Sequence, residues 1–151
     1  MKNIQAYADY LQMTAEYIHE DFDKDVVSDF RRSMSELVRK FCDRMSVTFV
    51  SKKALEKSKE MNVNLFEYNW QKQSKFDKGR KIFHLEHKFT VSDMVNAIIE
   101  SPSSAKKVLK QAEFGWILKD EDAQLNSSGY FSTRECHDSV YDEVGIEIIH
   151  K

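Results

Sequence analysis

The chain has 151 residues, 41% hydrophobic and 12% aromatic, with one proline and four glycines, a composition that suits a core-forming domain and excludes a collagen-like or disordered chain. A formal charge of -2 and a pI near 6.2 exclude a protein that binds polyanions through net charge alone. Two cysteines, Cys42 and Cys136, form no CxxC pair, which excludes a disulfide-stapled scaffold and suits a reducing compartment. The opening MKNIQAYADYLQ lacks the apolar run of a signal peptide, and no window approaches the roughly 20 apolar residues of a membrane span. The expectation is a cytoplasmic protein without a membrane partner.

Ile4, Tyr7, Ala8, Leu11, Ala15 and Ile18 recur at helical spacing, predicting an amphipathic helix from Asn3 to Glu20. The polar EDFDKD reads as a turn. Val26, Phe30, Met34, Leu37, Val38, Phe41 and Met45 then predict a second helix from Asp25 to Met45 that packs antiparallel on the first. The β-branched VTFV at Val47 to Val50 reads as a short strand, and Ser51 suits the N-cap of a helix over KKALEKSKEM. LFEYNW, Leu65 to Trp70, is open to strand or ordered loop, and QKQSKFDKGRK is a polar connection with Gly79 near its end.

IFHLEH alternates as a strand, with Phe83, Leu85 and His87 on one face and Ile82, His84 and Glu86 on the other. Thr90 and Asp93 form a capping box for a helix over VSDMVNAIIE, with Val91, Met94, Val95, Ile98 and Ile99 inward. Pro102 suits the first position of a helix over SAKKVLKQAE. FGWILK reads as a strand, and DEDAQLN as a helical turn ending at the SSG loop. Ser132 and Glu135 form a second capping box, opening a helix over Thr133 to Val144 that Gly145 terminates, and IEII closes the chain as a strand. The resulting expectation is a single α+β domain, with a helical hairpin over residues 1–45 and a mixed region of short strands and helices over 46–151.

Charge is unevenly spread. Lys72, Lys75, Lys78, Arg80, Lys81 and Lys88 oppose only Asp77 and Glu86, whereas Met1 to Asp25 is rich in acids. Phe66, Tyr68, Trp70 and Phe76 lie among the lysines and suit either a stacking surface for single-stranded nucleic acid or ordinary packing. Neither a GxxxxGK[ST] loop nor HExxH occurs. Cys136 adjoins His137, but neighbours on a helix diverge by roughly 100 degrees, so the two are not a thiol-imidazole pair.

The densest chemistry lies in KIFHLEHKFT, Lys81 to Thr90, with two of the five histidines. Imidazole supplies a metal-binding nitrogen or a base that works near neutral pH, and glutamate an oxygen ligand for a hard cation. The Glu86-His87 step resembles the first element of the HNH nuclease motif, and the resemblance continues through Asn126 in LNSSGY and His137 in RECH. It implies His87 as general base, Asn126 orienting it, and Glu86 with His137 holding a divalent metal, Mg²⁺ or Mn²⁺ with Zn²⁺ as a further candidate. Lys78, Arg80, Lys81 and Arg134 would then position the phosphates of DNA. Two predicted helices separate His87 from Asn126, whereas the HNH unit is compact.

A second reading has no catalysis. A protein-binding accessory or inhibitor, of the kind a phage or mobile element encodes, would use the helical hairpin or the acidic N-terminal end as its contact surface. A homodimer through the same hairpin belongs to this reading.

Overall fold

A computed structural model describes residues 3–19, 22–130 and 139–151. Its first elements are α1 (Ile4–Ile18), α2 (Lys24–Cys42), β1 (Phe49–Ser51), α3 (Lys52–Glu60) and β2 (Phe83–His87). There follow α4 (Val91–Glu100), α5 (Ala105–Lys110), β3 (Phe114–Leu118), α6 (Lys119–Ser127), α7 (Ser139–Glu143) and β4 (Ile148–His150). The fold is α+β, beginning with helices, as expected. The chain divides into two compact units: Met1–Cys42 with Thr90–Ala112, and Asp43–Phe89 with Glu113–Lys151. The first unit thus brings Thr90–Ala112 together with the two N-terminal helices.

The first unit is helical. α1 buries Ile4, Ala8, Leu11, Thr14 and Ala15, and α2 buries Met34, Val38, Phe41 and Cys42, the stripes that helical periodicity requires. Thr14 is accommodated because its hydroxyl donates to the carbonyl of Tyr10 at 2.8 Å. α4 begins at the predicted box, where Thr90 Oγ1 accepts from the Asp93 N–H at 3.1 Å and donates to Asp93 Oδ2 at 2.8 Å. Val91, Met94, Val95 and Ile98 are buried, and Pro102 opens a 3-10 turn that runs into α5. Arg31 of α2 donates to Asn96 of α4, and a ring nitrogen of His19 hydrogen-bonds the carbonyl oxygen of Ile99 at 2.6 Å. Val26, expected in the core, is exposed, because the buried stripe of α2 starts at Met34.

The second unit is built on a four-stranded sheet in the order β2-β3-β1-β4. β2 and β3 are antiparallel, β3 and β1 parallel, and β1 and β4 antiparallel. On one face Phe49 and Ile117 pack with Leu125, Val140, Tyr141 and Ile146. On the other, Phe76 forms edge contacts with Phe83 and Trp116, and the Trp116 indole N–H donates to the Tyr68 carbonyl. Gly115 pairs with Phe49, and a Cβ there would lie 2.1 Å from the Phe49 carbonyl oxygen. That approach admits only glycine.

LFEYNW is not a strand. It forms part of two 3-10 turns, Leu65–Glu67 and Trp70–Lys75, whose first N–H groups are taken by the side chains of Asn64 and Asn69. Asparagine oxygens here compete with a sheet ladder for the backbone donors. Gly145 (φ 73°) follows α7, as expected of a helix-terminating glycine. The Ser132/Glu135 box lies outside the described residues.

Candidate functional site

β2 follows the alternation read from its sequence. Phe83, Leu85 and His87 share one face, and His84 and Glu86 the other. His87 is half-buried with its ring against Phe114, its partner in the β2/β3 register, at 6.2 Å between centroids. Glu86 and His87 therefore do not face one site, although they adjoin in sequence.

Glu86 is 4% exposed. Its Oε1 accepts a 3.0 Å hydrogen bond from the Tyr141 hydroxyl, while Oε2 lies 3.9 Å from His84 Nε2. The register explains why a carboxylate fits here: Glu86 pairs with Gly115, which places no side chain on the sheet surface beside it. The third member comes from α6. β3 ends at Leu118 opposite Phe83, so the helix that follows at once brings its first turn back over β2. Asp122 in that turn places Oδ1 3.6 Å from His84 Nε2.

Donor atoms of His84, Glu86 and Asp122 all lie within 4.8 Å of one another. Ligands bound at roughly 2.0–2.2 Å from one cation lie about 3–3.5 Å apart, so small side-chain adjustments would close this set around an ion. One imidazole and two carboxylates suit Zn²⁺ or Mn²⁺, with the remaining positions open to water or a substrate oxygen. The donors differ in exposure, with side chains at 39% for His84, 26% for Asp122 and 5% for Glu86. The site therefore has a buried base and an accessible mouth. Tyr141, which holds Glu86 through its hydroxyl, also lines a cavity of about 450 Å³ with Lys88, Asp142, Glu147 and His150, a lining that includes none of His84, Glu86 and Asp122.

The neighbouring Glu121 has a structural role. It is buried and accepts from the Ser51 hydroxyl at 2.5 Å and the Leu118 N–H at 2.9 Å. Since Ser51 Oγ also caps α3 by accepting from the Ala54 N–H, one pair of side chains fixes the starts of two helices.

Asn126 is exposed on α6, one turn beyond Asp122. His137 and Arg134 lie outside the described residues. Lys78 and Lys81 are exposed around a tight loop, and Arg80 lies with its guanidinium carbon 3.5 Å from the centroid of the Trp70 ring. Asp77 holds that loop from inside by accepting from the N–H groups of Lys81, Ile82 and Phe83 and from the Gln73 amide. Burial raises the Asp77 pKa, but these hydrogen bonds together outweigh it and hold the carboxyl below its ordinary 3.8.

The period-two pattern made the His84/Glu86 pair legible, whereas Asp122 was missed. It stands in an acidic helix start, DEDAQLN, where carboxylates are ordinary. Only the turn from β3 into α6 brings it to His84. No family model matches the chain, and neither a curated protein nor a solved structure matches it.

Proposed function

We propose that this protein is a divalent-metal-dependent phosphodiester hydrolase acting on nucleic acid, with His84, Glu86 and Asp122 as its metal ligands. The observation that carries the reading is the meeting of one imidazole and two carboxylates from separate elements within 4.8 Å, over a buried glutamate braced by Tyr141. A metal held there would polarise a phosphate oxygen and lower the pKa of a bound water. Glu86 would supply a fixed carboxylate anchor, His84 a ring-nitrogen donor, and Asp122 a more accessible carboxylate. His87, the general base that the HNH-like step would require, lies on the opposite face of β2 and takes no part in this site. The basic run from Lys72 to Lys81 suits a polyanionic substrate.

Calorimetric titration with Mn²⁺, Zn²⁺ and Mg²⁺ tests the reading on the intact protein and on His84→Ala and Asp122→Asn. At least tenfold weaker binding in both folded variants, with loss of metal-dependent cleavage of DNA, is expected. Unchanged affinity in the variants, or no binding by the intact chain, removes the site.

One observation favours the noncatalytic reading. Tyr10, Met13 and Tyr17 form an exposed stripe along α1, at 43%, 48% and 46% exposure, and such patches mark contact surfaces. In that reading the helical unit binds a protein partner or a second copy of the chain.

A further inference from the structure

We infer that Trp70 and Arg80 form a base-stacking platform for single-stranded nucleic acid, separate from the metal ligands and independent of whether a metal binds. The aromatic residues of the lysine-rich stretch divide in the folded chain. Tyr68 and Phe76 meet as a tilted pair with centroids 4.8 Å apart, and Phe76 turns inward to Phe83 and Trp116. Trp70 remains at the surface, 36% exposed, beneath the Arg80 guanidinium.

The pair is held in place from below. Arg80 has φ 53°, in the left-handed region that non-glycine residues seldom adopt, directly after Gly79 at φ 76°. Its N–H closes a turn on the Asp77 carbonyl at 2.9 Å, and the Asp77 carboxylate accepts from three successive N–H groups just beyond it. An unfavourable backbone conformation persists only where its surroundings over-determine it. Here it places a planar cation on an aromatic ring at the surface.

Charge selects the occupant. Residues 70–81 carry five cations, Lys72, Lys75, Lys78, Arg80 and Lys81, and a single acid, Asp77. That acid is 1% exposed and engaged by the loop's own backbone, so it opposes the surface field little. Among the described residues none of the five cations pairs with an acid. An exposed ring, a guanidinium plane and uncompensated lysines are what an unpaired strand requires, since bases stack on the flat groups and phosphates meet the ammonium groups. A duplex has its bases stacked internally and offers no such face.

The test is fluorescence anisotropy with a labelled thymidine homopolymer, in EDTA so that a failed metal site has no bearing on the outcome. The intact protein should bind the single strand more tightly than a duplex of equal length, Trp70→Ala should weaken that binding about tenfold or more, and Trp70→Phe should restore most of it. Lys78→Ala and Lys81→Ala should each lower the salt slope by about one unit. Trp116 is fully buried, so quenching of tryptophan emission by the oligonucleotide should vanish in Trp70→Phe. Equal affinity for duplex, or a folded Trp70→Ala that binds the single strand as the intact protein does, overturns the platform and leaves a surface for polyanions in general. Absence of binding overturns it outright.

Discussion

The Tyr141 hydroxyl donates a 3.0 Å hydrogen bond to Glu86 Oε1, joining α7 to the buried carboxylate on β2. The ring of Tyr141 lies against Phe49, with centroids 6.1 Å apart, so core packing sets the hydroxyl's position.

Tyr141→Phe preserves that packing and removes the donor. Affinity for the proposed metal should then fall about ten- to a hundredfold, as when a group that hydrogen-bonds a ligand is removed, and folding stability by about 1–3 kcal/mol. Manganese calorimetry beside urea unfolding separates the two effects. Unchanged affinity with reduced stability would show that Tyr141 serves the core alone.

Asp77 predicts a pH dependence. Its carboxyl titrates below the ordinary 3.8 in the folded protein, so its contribution to stability is complete above that value and is lost as pH falls through the lowered one. Urea unfolding from about pH 6 to about pH 2.5 should show the intact protein losing stability over that acidic window. In Asp77→Asn, expected to be about 2 kcal/mol less stable at neutral pH, this component should be absent, and the gap between the two proteins should narrow on acidification.

Gly115→Ala should be among the most damaging single substitutions. The added Cβ would lie 2.1 Å from the Phe49 carbonyl oxygen and 2.5 Å from its ring, and the obstacle includes backbone that pairs the two strands. A loss of about 3 kcal/mol or more is expected, measured as a fall in the urea midpoint. Full stability would mean that β1 and β3 do not pair in this register.

Where the determinants are local, the sequence announced the structure. The Thr90/Asp93 box, the Ser51 cap and the Gly145 stop need only neighbours a few residues away, and all three form. The candidate site was half legible. Alternation put His84 beside Glu86, yet the HNH resemblance joined Glu86 to His87 because they adjoin in the chain, and a pleated strand turns neighbours to opposite faces. Asp122 depends on strand pairing, which no local pattern encodes. Asp77 is likewise silent in sequence, because its partners are mainly backbone N–H groups that every residue but proline carries.

Ser51→Ala removes a helix cap and leaves buried Glu121 without one of its donors. The expected loss is roughly 2–3 kcal/mol, above the ~1 kcal/mol of an isolated cap. Chemical denaturation checks it, and a loss of only ~1 kcal/mol would place the Glu121 contact outside the energetics.

The stripe on α1 separates binding from folding. Changing Met13 or Tyr17 to serine should alter stability by no more than about 0.5 kcal/mol, as for exposed positions, and changing Tyr10, whose hydroxyl meets Ser33 Oγ at 3.1 Å, by about 1 kcal/mol. Sedimentation velocity of the intact protein should show association that the triple variant lacks if the stripe joins two copies. A monomer in both cases removes self-association through the stripe.

The two units interrupt each other in sequence. The chain leaves the helical unit after Cys42, returns at Thr90 and leaves again after Ala112. On the ribosome, α1 and α2 emerge long before α4 and α5, with which they share their core, so the hairpin must wait with its apolar face incomplete while most of the other unit is translated. The sheet waits as well, since β1 and β2 are made before β3, the strand that lies between them. A fragment ending near residue 45 would therefore be a helical hairpin deprived of its partners, and deletion mapping that treats the N-terminal segment as self-standing would record loss of folding as loss of function.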